Sequence, residues 1–131
     1  MRNLKAALVL FGAIHMVQGL FLIIDPNRIA KLFGFEELLP FAPDLLAVPY
    51  LMALLGSAFI AAGVWFIIAG LDPLQNINGV RFAILWAGLL LAIQLYTITQ
   101  GYIVFSQTWT EIALTAIFTV AFLFFYPYRR R

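Results

Sequence analysis

Four stretches of roughly 20 apolar residues dominate this 131-residue chain, and no other feature limits its folding so severely. They run roughly over residues 4–24, 50–70, 81–100 and 111–126. A hydrocarbon core of about 30 Å takes about 20 apolar residues per helix, so each stretch is sized for a single crossing. Inside lipid the backbone must bond to itself, which makes each isolated apolar run a helix. Only 11% of the residues are charged, too few to cover a surface in water, where a soluble domain keeps about a quarter charged. The expected fold is all-α: an integral membrane four-helix bundle, a single transmembrane domain over residues 1–131.

The first stretch starts like a signal peptide, with Arg2 and Lys5 ahead of apolar residues. It is too long for one, carries His15 and Gln18, and ends in "FLIIDP" without a small-residue cleavage site, so a retained helix is expected. Lys and Arg set the orientation. Arg2, Lys5, Arg81 and Arg129–Arg131 fall on one side against Arg28 and Lys31 on the other, which places both termini in the cytoplasm.

The long first connection begins with Asp25 as a helix N-cap and Pro26 at the first helical position, with Gly34 as a stop. Ile29, Leu32 and Phe33 share a face and Arg28 and Lys31 can reach headgroups, so a short interfacial helix is expected after the first span. A lid or a docking surface for an extracytoplasmic partner is the alternative. Pro40, Pro43 and Pro49 then return the chain to the second span. In the second connection Asp72 is placed to pair with Arg81. Before the last span, Thr108-Trp109-Thr110-Glu111 matches a capping box opening the helix. Trp109 and Tyr102 suit the outer aromatic belt, and Tyr126 and Tyr128 the inner one.

Helix packing is readable in the small residues. Gly56, Gly63 and Gly70 recur every seven residues in the second span, and Ala53, Ser57 and Ala61 every four on a neighbouring face. Gly12 and Gly19 recur in the first span. Small residues let helix backbones approach, where van der Waals contact stands in for the hydrophobic force that lipid cannot supply. Two such faces on one helix suit a central position, or a partner as well as the chain itself. The segments ending in Asp25-Pro26 and Asp72-Pro73 also align faintly as an inverted repeat, at a level chance explains.

His15 is the single histidine and falls near the expected bilayer midplane, where an ionisable residue calls for an explanation. Gly12, His15 and Gly19 share a face with Gln18 beside them. By depth Gln94 is level with His15 and Thr97 with Gln18, while Thr115, Thr119 and Ser57 are mid-span, so inward rotation would build one polar layer. Three readings stand. His15 hydrogen-bonds Gln94 or a threonine and fixes helix register. Alternatively His15, Gln18, Gln94 and Thr97 hold a lipophilic cofactor such as a chlorophyll-type pigment, quinone or haem, the glycines making room for a flat ring. The third reading is small-solute transport, which is opposed by the absence of any Asp or Glu inside an apolar stretch. The chain has no cysteine and one histidine, so neither a metal cluster nor a nucleophile–base set is expected, and the chain reads as no enzyme. Its basic residues form no stripe, which excludes nucleic acid as a partner.

Gly12-x-x-His15-x-x-x-Gly19, then Asp25-Pro26 with "RIAKLFGF", then the glycine-spaced second span, resemble the DoxX-like small bacterial four-helix membrane proteins. The resemblance covers the N-terminal half. It implies a multi-pass protein of the bacterial inner membrane and a role as an accessory subunit, with membrane lipids and other membrane subunits or itself as partners. It carries over no catalytic residue.

Overall fold

The computed structural model describes residues 1–26, 28, 47–101 and 103–128, apart from the side chains of 47–49 and 107. Among the described residues there are four helices and no strand: α1 (Arg2–Ile24), α2 (Ala47–Leu71), α3 (Ile77–Thr99) and α4 (Phe105–Phe125). All four are long and apolar enough to cross a membrane. Most of the expected interfacial helix, with Lys31 and Gly34, lies outside the described residues, as do Pro40, Pro43, Tyr102 and Arg129–Arg131.

The helix ends follow local chemistry. Helix α1 stops before Asp25-Pro26, because a residue preceding proline is pushed out of the helical region. The Asp25 carboxylate then accepts the backbone N–H of Arg28 at 3.1 Å, and the chain is helical again at Pro26 and Arg28. This is the cap that Asp25-Pro26 implies, with proline where its missing N–H is harmless. A second Asp-Pro follows α2. Here the Asp72 carboxylate accepts the N–H groups of Leu74 at 3.1 Å and Gln75 at 3.2 Å, closing an Asx turn that leads into α3. Between α3 and α4 the chain turns at Gly101, whose φ of +70° lies in the left-handed region that disfavours other residues.

Three expectations are corrected by these boundaries. Helix α3 begins at Ile77, not Arg81, since a basic side chain can extend to water without ending its helix. Asp72 does not pair with Arg81; its carboxylate is used by the turn, while the Arg81 Nε donates to the Tyr126 hydroxyl at 2.9 Å. Helix α4 begins at Phe105, a turn before the capping box, and the Thr108 hydroxyl caps nothing. The physical reason is packing. Thr108, Thr115 and Phe122 are buried at seven-residue intervals with Phe118 between them, the spacing of a helix seam. Burying that seam from Thr108 onward requires a helix already formed there, and packing overrides a local cap motif.

The chain divides into two compact units. The first comprises Met1–Phe11 and Trp65–Arg131. Its core is aromatic: the ring of Phe11 lies 5.1 Å from Phe66, 4.8 Å from Phe118 and 5.1 Å from Phe122. Phe66 also meets Phe82 at 5.8 Å and Trp86 at 6.2 Å, so all four helices contribute rings. Lys5 Nζ donates to the carbonyl of Leu71 at 3.0 Å, placing a cation on the otherwise orphaned C-terminus of α2.

The second unit is Gly12–Val64. Within it α1 and α2 run antiparallel, with Gly19 against Gly56 and Gly12 against Gly63. A Cβ at Gly19 would stand 2.5 Å from the Gly56 carbonyl oxygen, and one at Gly63 would stand 2.6 Å from that of Gly12. Each backbone therefore fills the space that a side chain on the other would need.

Candidate functional site

His15 is set on α1 between Gly12 and Gly19 and is only 3% exposed. Its imidazole lies 5.2 Å from the ring of Phe59 with planes tilted by 37°. The room that the flanking glycines leave is taken by α2: Gly56 and Ile60 stand against Gly19, and Gly63 faces Gly12. These glycines thus serve helix approach. Gln18 is half-buried, three residues along the same helix.

The other polar residues of the expected layer mostly satisfy themselves. The hydroxyl of Ser57 donates to the Leu54 carbonyl at 2.7 Å, that of Thr97 to the Gln94 carbonyl at 2.8 Å, and that of Thr119 to the Thr115 carbonyl at 2.8 Å. Such back-bonding within a helix lets a hydroxyl lie in apolar surroundings without a ligand or water. His15, Gln18 and Ser57 belong to the second unit, and Gln94, Thr97, Thr115 and Thr119 to the first.

Two oxygens are different. The side-chain carbonyl of Gln94 and the hydroxyl of Thr108 are buried with no hydrogen-bond partner. An isolated buried hydroxyl costs about 1–3 kcal/mol of desolvation. Thr108→Val, which keeps the shape and removes the hydroxyl, should therefore raise stability by about 1 kcal/mol, read as a higher thermal midpoint in lipid nanodiscs. A lowered midpoint would mean that the hydroxyl bonds to a molecule from outside the chain.

As part of a capping box Glu111 belongs at a helix end, and the structure corrects this. It lies six residues beyond the start of α4, half-buried, within the apolar stretch Thr108–Phe125. The apolar stretch Thr108–Phe125 thus carries a carboxylate near its start, where the sequence alone suggests none. The signal was available: stepping back seven residues from buried Phe118 reaches Glu111, as stepping back from Thr115 reaches Thr108. Among the described residues no three His, Asp or Glu side chains converge.

At the opposite end of the α3–α4 hairpin, Leu74, Ile77, Arg81, Tyr126, Pro127 and Tyr128 line an open cleft of about 410 Å³. In the second unit, Val17, Leu20, Phe21 and Ile24 line an apolar groove of about 450 Å³. Asp25 and Arg28 close its rim as an ion pair at 4.0 Å, with the Arg28 guanidinium 5.7 Å from the centre of the Phe21 ring. Comparison with protein-family models, curated proteins and solved structures finds no match to this chain.

Proposed function

We propose that the chain is a small accessory subunit of the bacterial inner membrane that packs laterally on another membrane protein or on a second copy of itself. In this reading the four helices cross the bilayer as one bundle, and the excess of basic residues around Arg2, Lys5, Arg81 and Arg129–Arg131 keeps both termini in the cytoplasm. The resemblance to the DoxX-like proteins points the same way.

One observation carries the lateral role. Of the two small-residue faces of α2, the one with Gly56 and Gly63 is consumed by α1, whereas Ser57 and Ala61 on the other are exposed and Ala53 is half-buried. The Ser57 hydroxyl is already bonded to its own helix, so this face offers a smooth surface with no polar demand. A second helix can approach such a surface closely, and in lipid close approach is what holds helices together.

Native mass spectrometry from lipid nanodiscs tests this directly. Wild type should appear in an assembly heavier than the monomer, and Ser57→Trp should reduce it to the monomer while leaving the thermal midpoint unchanged. A wild-type monomer, or an assembly indifferent to Ser57→Trp, would overturn the reading. Glu111 within α4 favours small-solute transport as the second reading, tested by solute uptake into vesicles with wild type against Glu111→Gln.

A further inference from the structure

We infer that the cleft between the start of α3 and the end of α4 binds the phosphate of an anionic phospholipid, with Arg81 as the anion-binding group and Tyr126 as the residue that positions it. The inference rests on the membrane-spanning reading above.

The cleft carries an unbalanced charge. Arg81 has no carboxylate within ion-pair distance among the described residues. The nearest acid in sequence, Asp72, is engaged by the backbone of its own turn. Arg81 is nevertheless held in place. Its Nε donates to the Tyr126 hydroxyl at 2.9 Å, and its Nη1 donates to the Asn78 side-chain oxygen at 3.4 Å. Tyr126 is itself fixed by an edge-on contact with Tyr128 at 4.9 Å and 69°. A guanidinium held through Nε and one N–H of Nη1 keeps its other three N–H groups, on Nη1 and Nη2, for the planar fork that matches a phosphate.

The depth is right for a lipid. Arg81 lies four residues into α3, about 6 Å along its axis, close to the width of one headgroup layer. Tyr126 and Tyr128 follow the end of α4, where aromatic residues sit at membrane interfaces. The lining decides between a lipid and a free phosphate. Leu74, Ile77 and Pro127 form an apolar wall beside the polar groups, and the volume of about 410 Å³ falls in the range of about 300–1,000 Å³ typical of ligand clefts. A soluble anion has no use for that wall, whereas the glycerol esters and first methylenes below a lipid phosphate would cover it.

The test uses the full chain in nanodiscs of phosphatidylcholine containing phosphatidylglycerol at one part in ten, with retained lipid counted by native mass spectrometry. Wild type should retain phosphatidylglycerol selectively, and Arg81→Gln should lower that retention about fivefold, the effect of one basic residue near an anionic surface. Arg81→Lys and Tyr126→Phe leave the net charge unchanged and should lower it as well, because each breaks the held fork. Thermal midpoints show whether these variants remain folded. Retention in both charge-conserving variants equal to wild type would mean diffuse attraction and would overturn the inference, as would displacement of the lipid by millimolar inorganic phosphate. Carbonate-resistant flotation of the protein with vesicles separates this failure from failure of the membrane reading, which would leave the chain unbound to lipid altogether.

Discussion

Gly56→Leu should cost about 3 kcal/mol of stability, at or beyond the upper end of what overpacking costs in soluble cores. A Cβ alone at this position would lie 2.6 Å from the Gly19 carbonyl oxygen, 2.9 Å from Ile23 Cγ1 and 3.0 Å from Leu22 Cβ. The first of these is backbone, so no rotamer change relieves it and the α1 and α2 segments of the second unit must separate. Separation forfeits the dispersion contacts of the Gly12–Gly63 and Gly19–Gly56 approaches together. With lipid as the solvent, no hydrophobic gain elsewhere offsets that loss. Gly88→Leu is the control, because nothing stands within 4 Å of a Cβ there. It should be neutral or slightly stabilising, leucine being about 0.8 kcal/mol the better helix former. Equilibrium unfolding of both variants in bicelles checks the pair, and equal effects would show that the close approach does not hold this unit together.

That contrast also marks what the chain reveals by itself. The seven-residue spacing of Gly56 and Gly63 is plain in the sequence, but the identity of the opposing backbone is not. Any helix with glycines at the same interval would serve, and only the fold selects Gly19 and Gly12. Apolar stretches mark the C-terminal ends of α1 and α2 to within one residue, because Asp-Pro terminates both. They mark the starts of α3 and α4 poorly, since apolarity reports where lipid-like surroundings begin and not where helical hydrogen bonding begins. Thr108-Trp109-Thr110-Glu111 is a persuasive cap locally, yet Thr108 belongs to a buried seam that continues through Thr115 to Phe122. Read as a cap, the motif puts Glu111 in the first turn, whereas it lies in the second turn of α4. Asp72 and Arg81 misled for a related reason. Nine residues apart, they invited pairing, whereas the hydroxyl that engages Arg81 is 45 residues away. Local motifs predict local bonds, and a side chain of arginine's length chooses among neighbours that only tertiary structure supplies.

Phe66→Ala should cost about 3 kcal/mol, the lower end of the range for phenylalanine truncation in water-soluble cores. Phe66 has no exposed surface, and its ring touches Phe11 of α1 and Phe82 and Trp86 of α3. Its removal leaves a cavity where three helices of the first unit meet, and those rings cannot close on it without leaving Phe118 and Phe122, which Phe11 also contacts. In water the cost would combine lost hydrophobic transfer with the cavity. In lipid the separated helices still find apolar surroundings, so the transfer part largely vanishes and the dispersion and cavity parts remain. Phe124→Ala, at a residue 79% exposed, removes the same atoms without opening a cavity and should cost close to nothing. The difference between the two, measured by unfolding in bicelles, isolates shape from hydrophobicity. A difference well below 1 kcal/mol would mean that the aromatic cluster yields like a liquid, and that the first unit is held by its ends, at Lys5–Leu71 and Arg81–Tyr126, instead of by its core.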